Sequence, residues 1–254
     1  MALEARMLGG FISCLGIALV FTGLSGGGIW PEKAAACDKF LITVVLFIAA
    51  GLFLSALVLC LCGRHVGEAL VFAYLLLLLL MSFAIFGLVV TKDGGGGHVI
   101  KGKGYAEFDL GDYQRWLRHR VRTKALWKGI KSCLMKRGEC QKLSHQAPDP
   151  KTGIVQFNGL QSGCCKPLDV CGFKAINVSS SIYDISAPPS SSAAIAAEGD
   201  CSRFVNEEEK CFNCDFCRAA FLDTLSRSWR TMSIINFVIA SLVVSCGQND
   251  VQLS

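Results

Sequence analysis

Charge is scarce in this chain, and where it is missing matters more than how much there is. Only 18% of the 254 residues are charged and 52% are hydrophobic, too apolar a balance for an ordinary soluble domain. Histidine is thin as well. His65, His98, His119 and His145 lie far apart in sequence, and no Ser/His/Asp, HExxH or phosphate-cradling pattern includes them. The run Gly94–Gly97 has no strand-like segment before it and no Gly-Lys-Ser/Thr after it, so it reads as a flexible linker rather than a nucleotide loop. With no catalytic, cofactor-binding or metal-binding set in view, the expected protein is not an enzyme and carries no cofactor.

The charge-free runs are the first positive signal. Phe40–Cys62 runs about 23 residues without a charge, and Ala69–Val90 contains an unbroken leucine block, Leu75–Leu80. Met7–Leu24 is about 18 residues, at the lower end for a bilayer helix, and a cleaved signal peptide is its competing reading. Only Arg6 precedes that run and Glu4 offsets it, which weighs against the signal peptide. Met232–Gly247 is about 16 residues and spans only if its helix begins near Trp229. None of these runs contains Asp, Glu, Lys or Arg of the kind that lines an ion pathway.

The expected fold class is an all-α integral membrane protein: a four-transmembrane-helix bundle with a disulfide-rich, mainly helical large extracellular loop. Its parts are a cytoplasmic N-terminus 1–6, spans 7–28, 40–62, 69–91 and 229–247, and outer loops 29–39 and 92–228. A cytoplasmic turn 63–68 and a cytoplasmic tail 248–254 complete it. Roughly +6 of net charge falls between Lys92 and Thr231, with the rest near neutral. Positive-inside counting is weak here, because the short inner segments hold only Arg6 and Arg64. Cysteine carries the orientation instead. Nine of the fourteen cysteines and the sequon Asn177-Val178-Ser179 lie in the large loop, which suits an oxidising, glycosylating compartment.

Those nine are Cys133, Cys140, Cys164, Cys165, Cys171, Cys201, Cys211, Cys214 and Cys217. Nine is odd; Cys37, on the same side, brings the set to ten and lets all of them pair. Cys164 and Cys165 are adjacent, and the peptide between them holds their sulfurs badly for a mutual bridge, so each needs its own distant partner. The spacing Cys211-x2-Cys214-x2-Cys217 raises zinc and thiol exchange as alternatives, but no histidine lies near and no thioredoxin-like unit surrounds it. Within the loop, Tyr105–Leu134 repeats apolar residues every three to four positions and reads as one or two amphipathic helices. Their other face carries Arg115, Arg118, Arg120, Arg122, Lys124, Lys128 and Lys131. Such a face occurs in nucleic-acid, calmodulin-target and lipid-surface helices; its plain reading is a solvated face. A further helix is expected from near Cys214 into the last span, and Asn177–Asp200 reads as a mobile Ser/Ala/Pro-rich insertion.

Gly163-Cys164-Cys165-Lys166-Pro167 resembles the GCCKPP motif of the plant branch of the tetraspanins. The neighbours agree: Leu110-x2-Tyr113-x2-Trp116-Leu117, Trp127 followed by Ile130-Lys131-Ser132-Cys133-Leu134, Leu160-Gln161-Ser162, Cys171-Gly172-Phe173, Asp200-Cys201 and Arg218-Ala219. Leu168 stands where the motif usually has a second proline, a small change in a rigid turn; Phe204 stands where tryptophan is usual, and the Ser/Pro-rich insertion near it implies a looser variable region. The resemblance implies a membrane organiser that clusters partner membrane proteins, including homo- or hetero-oligomers with tetraspanins, amid membrane lipids and without nucleic acid. It implies the plasma membrane, with endomembranes as a second location. It also implies that the paired cysteines tie one point of a variable subdomain to two places in the loop, each bridging downstream within Cys171–Cys217. Asn177 becomes a glycosylation candidate and Asn236 an intramembrane polar residue. Cys14, Cys60, Cys62 and Cys246 become palmitoylation candidates, their plain reading being small apolar residues in lipid. The alternative is a four-span thiol oxidoreductase working with a quinone, and a claudin-like junction protein is disfavoured by loop order.

Overall fold

The structure, a computed structural model, describes residues 33–40, 43–44, 46–51, 54, 66–93, 97–100, 104–145, 149–151, 154–178, 181–186, 198–207 and 209–252. The chain divides into two compact units, Met1–Val89 with Ser228–Ser254, and Val90–Arg227. The expected span 7–28 with Cys14, and the palmitoylation candidates Cys60 and Cys62, lie outside the described residues.

In the first unit, helix α1 (Val66–Val90) is apolar on every side. Among the described residues, Val71–Val90 is the segment long and apolar enough to cross a bilayer. Its buried positions are Ala73, Leu77, Leu80, Ala84, Gly87 and Val90, three or four apart, the seam along which helices pack side by side. Since Val71, Phe72, Leu75 and Leu79 on the other side are just as apolar and stay exposed, hydrophobicity cannot choose the inner face. Small residues help to choose it, by letting backbones approach. A side chain at Gly87 would run into Ser233, and one at Gly51 would meet Leu76 Cδ1 at 2.8 Å. On the later part of the C-terminal helix, Trp229, Met232, Ser233, Asn236 and Ala240 are buried, and Phe40 stacks on Trp229 with ring centroids 6.0 Å apart.

The second unit is not all helix. Two short hairpins sit among its helices, which corrects the all-α expectation in detail: β1 (His98–Ile100) with β2 (Tyr105–Glu107), and β3 (Lys174–Asn177) with β4 (Ile182–Asp184), both antiparallel. The helical reading of Tyr105–Leu134 therefore begins about ten residues early. Tyr105 pairs with Ile100, and Asp109 then caps a 3-10 turn, Leu110–Asp112, by accepting the Gly111 N–H at 2.6 Å. His98 opens strand β1, directly after the Gly94–Gly97 run.

Helices α2 (Arg115–Arg122) and α3 (Lys124–Lys136) follow, divided at Thr123, whose backbone is extended (φ −67°, ψ 113°). Their buried residues are Leu117 and Val121 on α2, and Trp127, Ile130 and Leu134 on α3. Trp127 anchors the layer: its ring meets Phe221 edge-on at 6.0 Å and its indole N–H donates to the Phe212 carbonyl at 3.0 Å. A short helix α4 (Gly159–Cys164), a single-turn α5 (Glu198–Cys201) and the long α6 (Asp215–Gln252) complete the fold. Helix α6 starts one residue after Cys214.

Candidate functional site

The motif Gly163–Pro167 lies at the C-terminal end of α4, and each of its residues has a separate physical task. Helix α4 begins with a reciprocal cap: Gln161 N–H donates to the Asn158 side chain at 2.8 Å, and Asn158 N–H donates to the Gln161 side chain at 3.1 Å. That fixes the entry of a helix too short to stand alone. Gly163 then allows α4 to lie directly on α6, because a Cβ there would sit 2.9 Å from the Phe216 carbonyl and closer still to the Ala220 methyl.

The two sulfurs diverge from that contact. Cys164 bonds Cys217 on α6, and Cys165 bonds Cys140, after α3. The second of these corrects the expectation that both partners lie downstream: Cys165 reaches back 25 residues rather than forward. Geometry gives the reason. Successive side chains on one helical turn point roughly 100° apart, so two neighbours cannot aim at the same element. One faces α6 and the other the segment that follows α3.

Lys166 is 2% exposed, unusual for lysine. Its Nζ lies 3.8 Å over the Tyr105 ring, 3.6 Å from Glu107 Oε1, and donates to the Pro167 carbonyl at 2.8 Å. The charge is thus balanced by a carboxylate and an aromatic face. The Tyr105 hydroxyl donates to Asp169, and Glu107 accepts the Asp169 N–H at 2.7 Å. Burial first, then Asp169, pushes the Tyr105 phenol far above its usual range, so it stays a donor. This network ties β2 to the turn beyond the cysteines. Leu168, in the second-proline position, packs on the cluster of Tyr183, Phe204, Cys211, Cys214 and Phe216.

That cluster reverses another expectation. Phe204 does not loosen the region: it is buried, with Tyr183 edge-on at 5.6 Å and Phe173 at 6.4 Å. Part of the supposed insertion is equally ordered, since Ile182–Asp184 is strand β4 and Tyr183 is core. Asn206 continues the ladder on β4's outer side by accepting the Tyr183 N–H at 2.9 Å and donating to its carbonyl at 2.7 Å. Lys210 donates to the carbonyls of Ser181 and Asn206, both at 2.9 Å, and burial lowers its pKa. The Cys171–Cys201 bridge closes the same region. Asp200, pushed upward by burial, accepts the Asp215 and Phe216 N–H groups and so caps α6.

The hairpin exposes apolar residues next to the charged Lys174 and Asp184. Ile176 is 69% exposed, and Val178, Ile182 and Ile185 are exposed beside it. Asn177, the glycosylation candidate, is an exposed strand residue between Ile176 and Val178. No single spacing rule marks this patch, and sequence reasoning missed it; the only available signal was the run of isoleucines flanking Tyr183.

All ten cysteines assigned to bridges are disulfide-bonded, Cys37 and Cys133 included. Cys211 and Cys214 bond each other, and Cys217 is held by Cys164, so the Cys-x2-Cys-x2-Cys run presents no thiolate for zinc. Cys211 and Cys214 are also fully buried, which leaves thiol exchange without access. Asn236 is 2% exposed, and its Oδ1 has no hydrogen-bond partner among the described residues. The side chain of Cys246 lies outside the described residues.

Comparison with known proteins agrees with this architecture. The sequence model of the Tetraspanin family matches residues 5–247. Tetraspanin-8 of Arabidopsis thaliana is 32% identical over 241 residues, covering 90% of this chain and 85% of its own length. Tetraspanin-10 of the same plant is 29% identical over 86% of this chain and 77% of its own, and Tetraspanin-6 is 31% identical over 84% and 71%. No solved structure matches the chain significantly.

Proposed function

The chain belongs to the tetraspanin family, multi-pass membrane proteins with four spans, a disulfide-rich loop and a general scaffold role, and from that premise we propose a specific reading. The protein is a non-catalytic organiser that gathers partner membrane proteins on the exposed apolar residues of the β3–β4 hairpin. The unit Val90–Arg227 faces the outside of the plasma membrane and both termini face the cytosol. The spans are 7–28, 40–62, 69–91 and 229–247. Asn177 carries a glycan, and Cys14, Cys60, Cys62 and Cys246 are acylated.

The observation that carries this reading is the combination of Ile176, Val178, Ile182 and Ile185 exposed on a hairpin held on several sides. Exposed apolar residues on a mobile loop would collapse inward or order only at an entropic cost on binding. Here Lys210, Asn206 and the Cys171–Cys201 bridge have already ordered the backbone. The thiol-oxidoreductase alternative gains no support from the family or from the buried Cys211–Cys214 bridge.

The test is site-specific photo-crosslinking at the hairpin in intact cells, comparing the natural chain with Ile176→Lys/Ile182→Lys. The expected result is a several-fold loss of crosslinked membrane proteins at unchanged surface level and disulfide map. An identical set of crosslinked partners in the variant would sink the hairpin's role. Labelling with an impermeant alkylator after mild reduction, and mass analysis of the Asn177 peptide, test the sidedness separately.

A further inference from the structure

Between Asp112 and Glu139 the chain carries nine lysines and arginines and no aspartate or glutamate. The exposed ridge of α3 concentrates this. Lys124, Lys128 and Lys136 are exposed along it, at multiples of four residues, and among the described residues none of them enters an ion pair. Lys131, to one side, takes Glu209 at 3.1 Å and Asn213 at 3.0 Å, so that carboxylate is already engaged. Like charges four apart on a helix repel, and here nothing internal offsets the repulsion.

Beside Lys124 and Lys128, and leading towards Lys136, runs a row of small exposed residues, Ala125, Gly129 and Ser132. Gly129 stands in the middle of the helix, where glycine is the poorest former after proline. A Cβ added there meets nothing within 4 Å. Among the described residues no contact therefore requires a glycine at this position, and the missing side chain leaves room for close approach from outside.

We propose that the exposed ridge of α3 binds a linear acidic polysaccharide of the polyuronate type, its sugar rings lying along the Ala125–Gly129–Ser132 row and its carboxylates on Lys124, Lys128 and Lys136. The ridge is about 18 Å long from Lys124 to Lys136, enough for several sugars. Three ammoniums over that length suit one charge per sugar better than the denser charge of a heavily sulfated chain. An anionic bilayer fits poorly, because a helix lying on lipid must offer it an apolar face. Trp127, Ile130 and Leu134 face inward, and Leu126 is the large apolar residue exposed on α3. Nucleic acid belongs to another compartment than a unit closed by disulfides, and a second copy would present charge of the same sign. The proposal rests on the outward orientation given above, but its test does not.

The experiment measures binding of the full chain, in nanodiscs of uncharged lipid, to polygalacturonate. Expected is saturable binding whose log affinity falls linearly with log salt concentration, as for any polyelectrolyte that releases counterions. Lys124→Glu/Lys128→Glu/Lys136→Glu should weaken it at least tenfold, and Gly129→Leu several-fold with no change of charge. A non-reducing peptide map confirms that both variants keep their disulfides. Absent binding at low salt, equal binding of the fully methyl-esterified polymer, or insensitivity to the charge reversal would each overturn the site. So would loss on charge reversal with no effect of Gly129→Leu, which would reduce the ridge to diffuse electrostatics. Tighter binding to phosphatidylglycerol vesicles than to polygalacturonate would assign the ridge to lipid instead. An inward-facing loop would appear in the alkylation experiment and leave these results unchanged.

Discussion

Helix α1 and helix α3 share a periodicity and resolve it in opposite ways. Along α1 large apolar residues remain outside, Val71 at 62% exposure, while Ala73, Ala84 and Gly87 turn inward with Leu77 and Leu80. Along α3 Trp127, Ile130 and Leu134 are buried while Lys124, Lys128 and Lys136 stay outside. The difference is the solvent each helix is built for. Water expels apolar area at about 25 cal/mol per Å², so α3 is sorted by hydrophobicity. Lipid does not distinguish a leucine inside from one outside, so α1 is sorted by how closely its neighbours can approach.

The largest expected effect sharpens the water-facing half of this contrast. Trp127→Ala removes a buried ring and leaves the Phe212 carbonyl without its donor, so it should cost about 3–5 kcal/mol. It should be read as a collapse of denaturant resistance in the second unit. Cys164→Ser opens the bridge to α6 and should cost about 2–5 kcal/mol. Free-thiol mapping should then find Cys217 reactive; an unreactive Cys217 with unchanged stability would remove the bridge from its place at the centre of the site.

Gly87→Leu addresses the lipid-facing half. Because Ser233 occupies the space a side chain would need, overpacking should cost about 1–3 kcal/mol and reduce the heat resistance of the detergent-solubilised protein. Val71→Leu, on the exposed side of the same helix, should change nothing measurable. Equal effects at the two positions would erase the distinction between faces.

The smallest effect is one of pH. The folded-state pKa of Asp200 is raised, with burial the first cause, so the protonated form is the one the fold favours. Its contribution to stability is complete below the unfolded carboxylate value of about 3.9 and is lost as pH rises through the folded value. Amide exchange of the first turn of α6 should therefore quicken as pH rises through that window, after correction for intrinsic rates. Asp200→Asn should flatten the profile while keeping an oxygen to cap the helix.

Much of this protein is legible from residue order. Charge-free runs mark part of the chain for lipid, and the cysteine string marks another part for disulfides, because the costs of burying charge in lipid and of leaving thiols free act on residue types wherever they stand. The two hairpins were invisible, since strands of three or four residues carry too little alternation to register, and Tyr183 looks like any residue of a Ser-rich stretch until Phe204 is seen beside it. The cysteine motif itself could be seen but not explained. That Gly163 is a glycine because α6 passes over it, that Cys165 turns back to Cys140, and that Lys166 is a buried cation over Tyr105 depend on residues 25 to 61 positions away. Composition and local pattern determined the solvent of each segment; which side chains meet was decided only by tertiary structure, because direction and distance between remote elements are set by the packing of the whole unit.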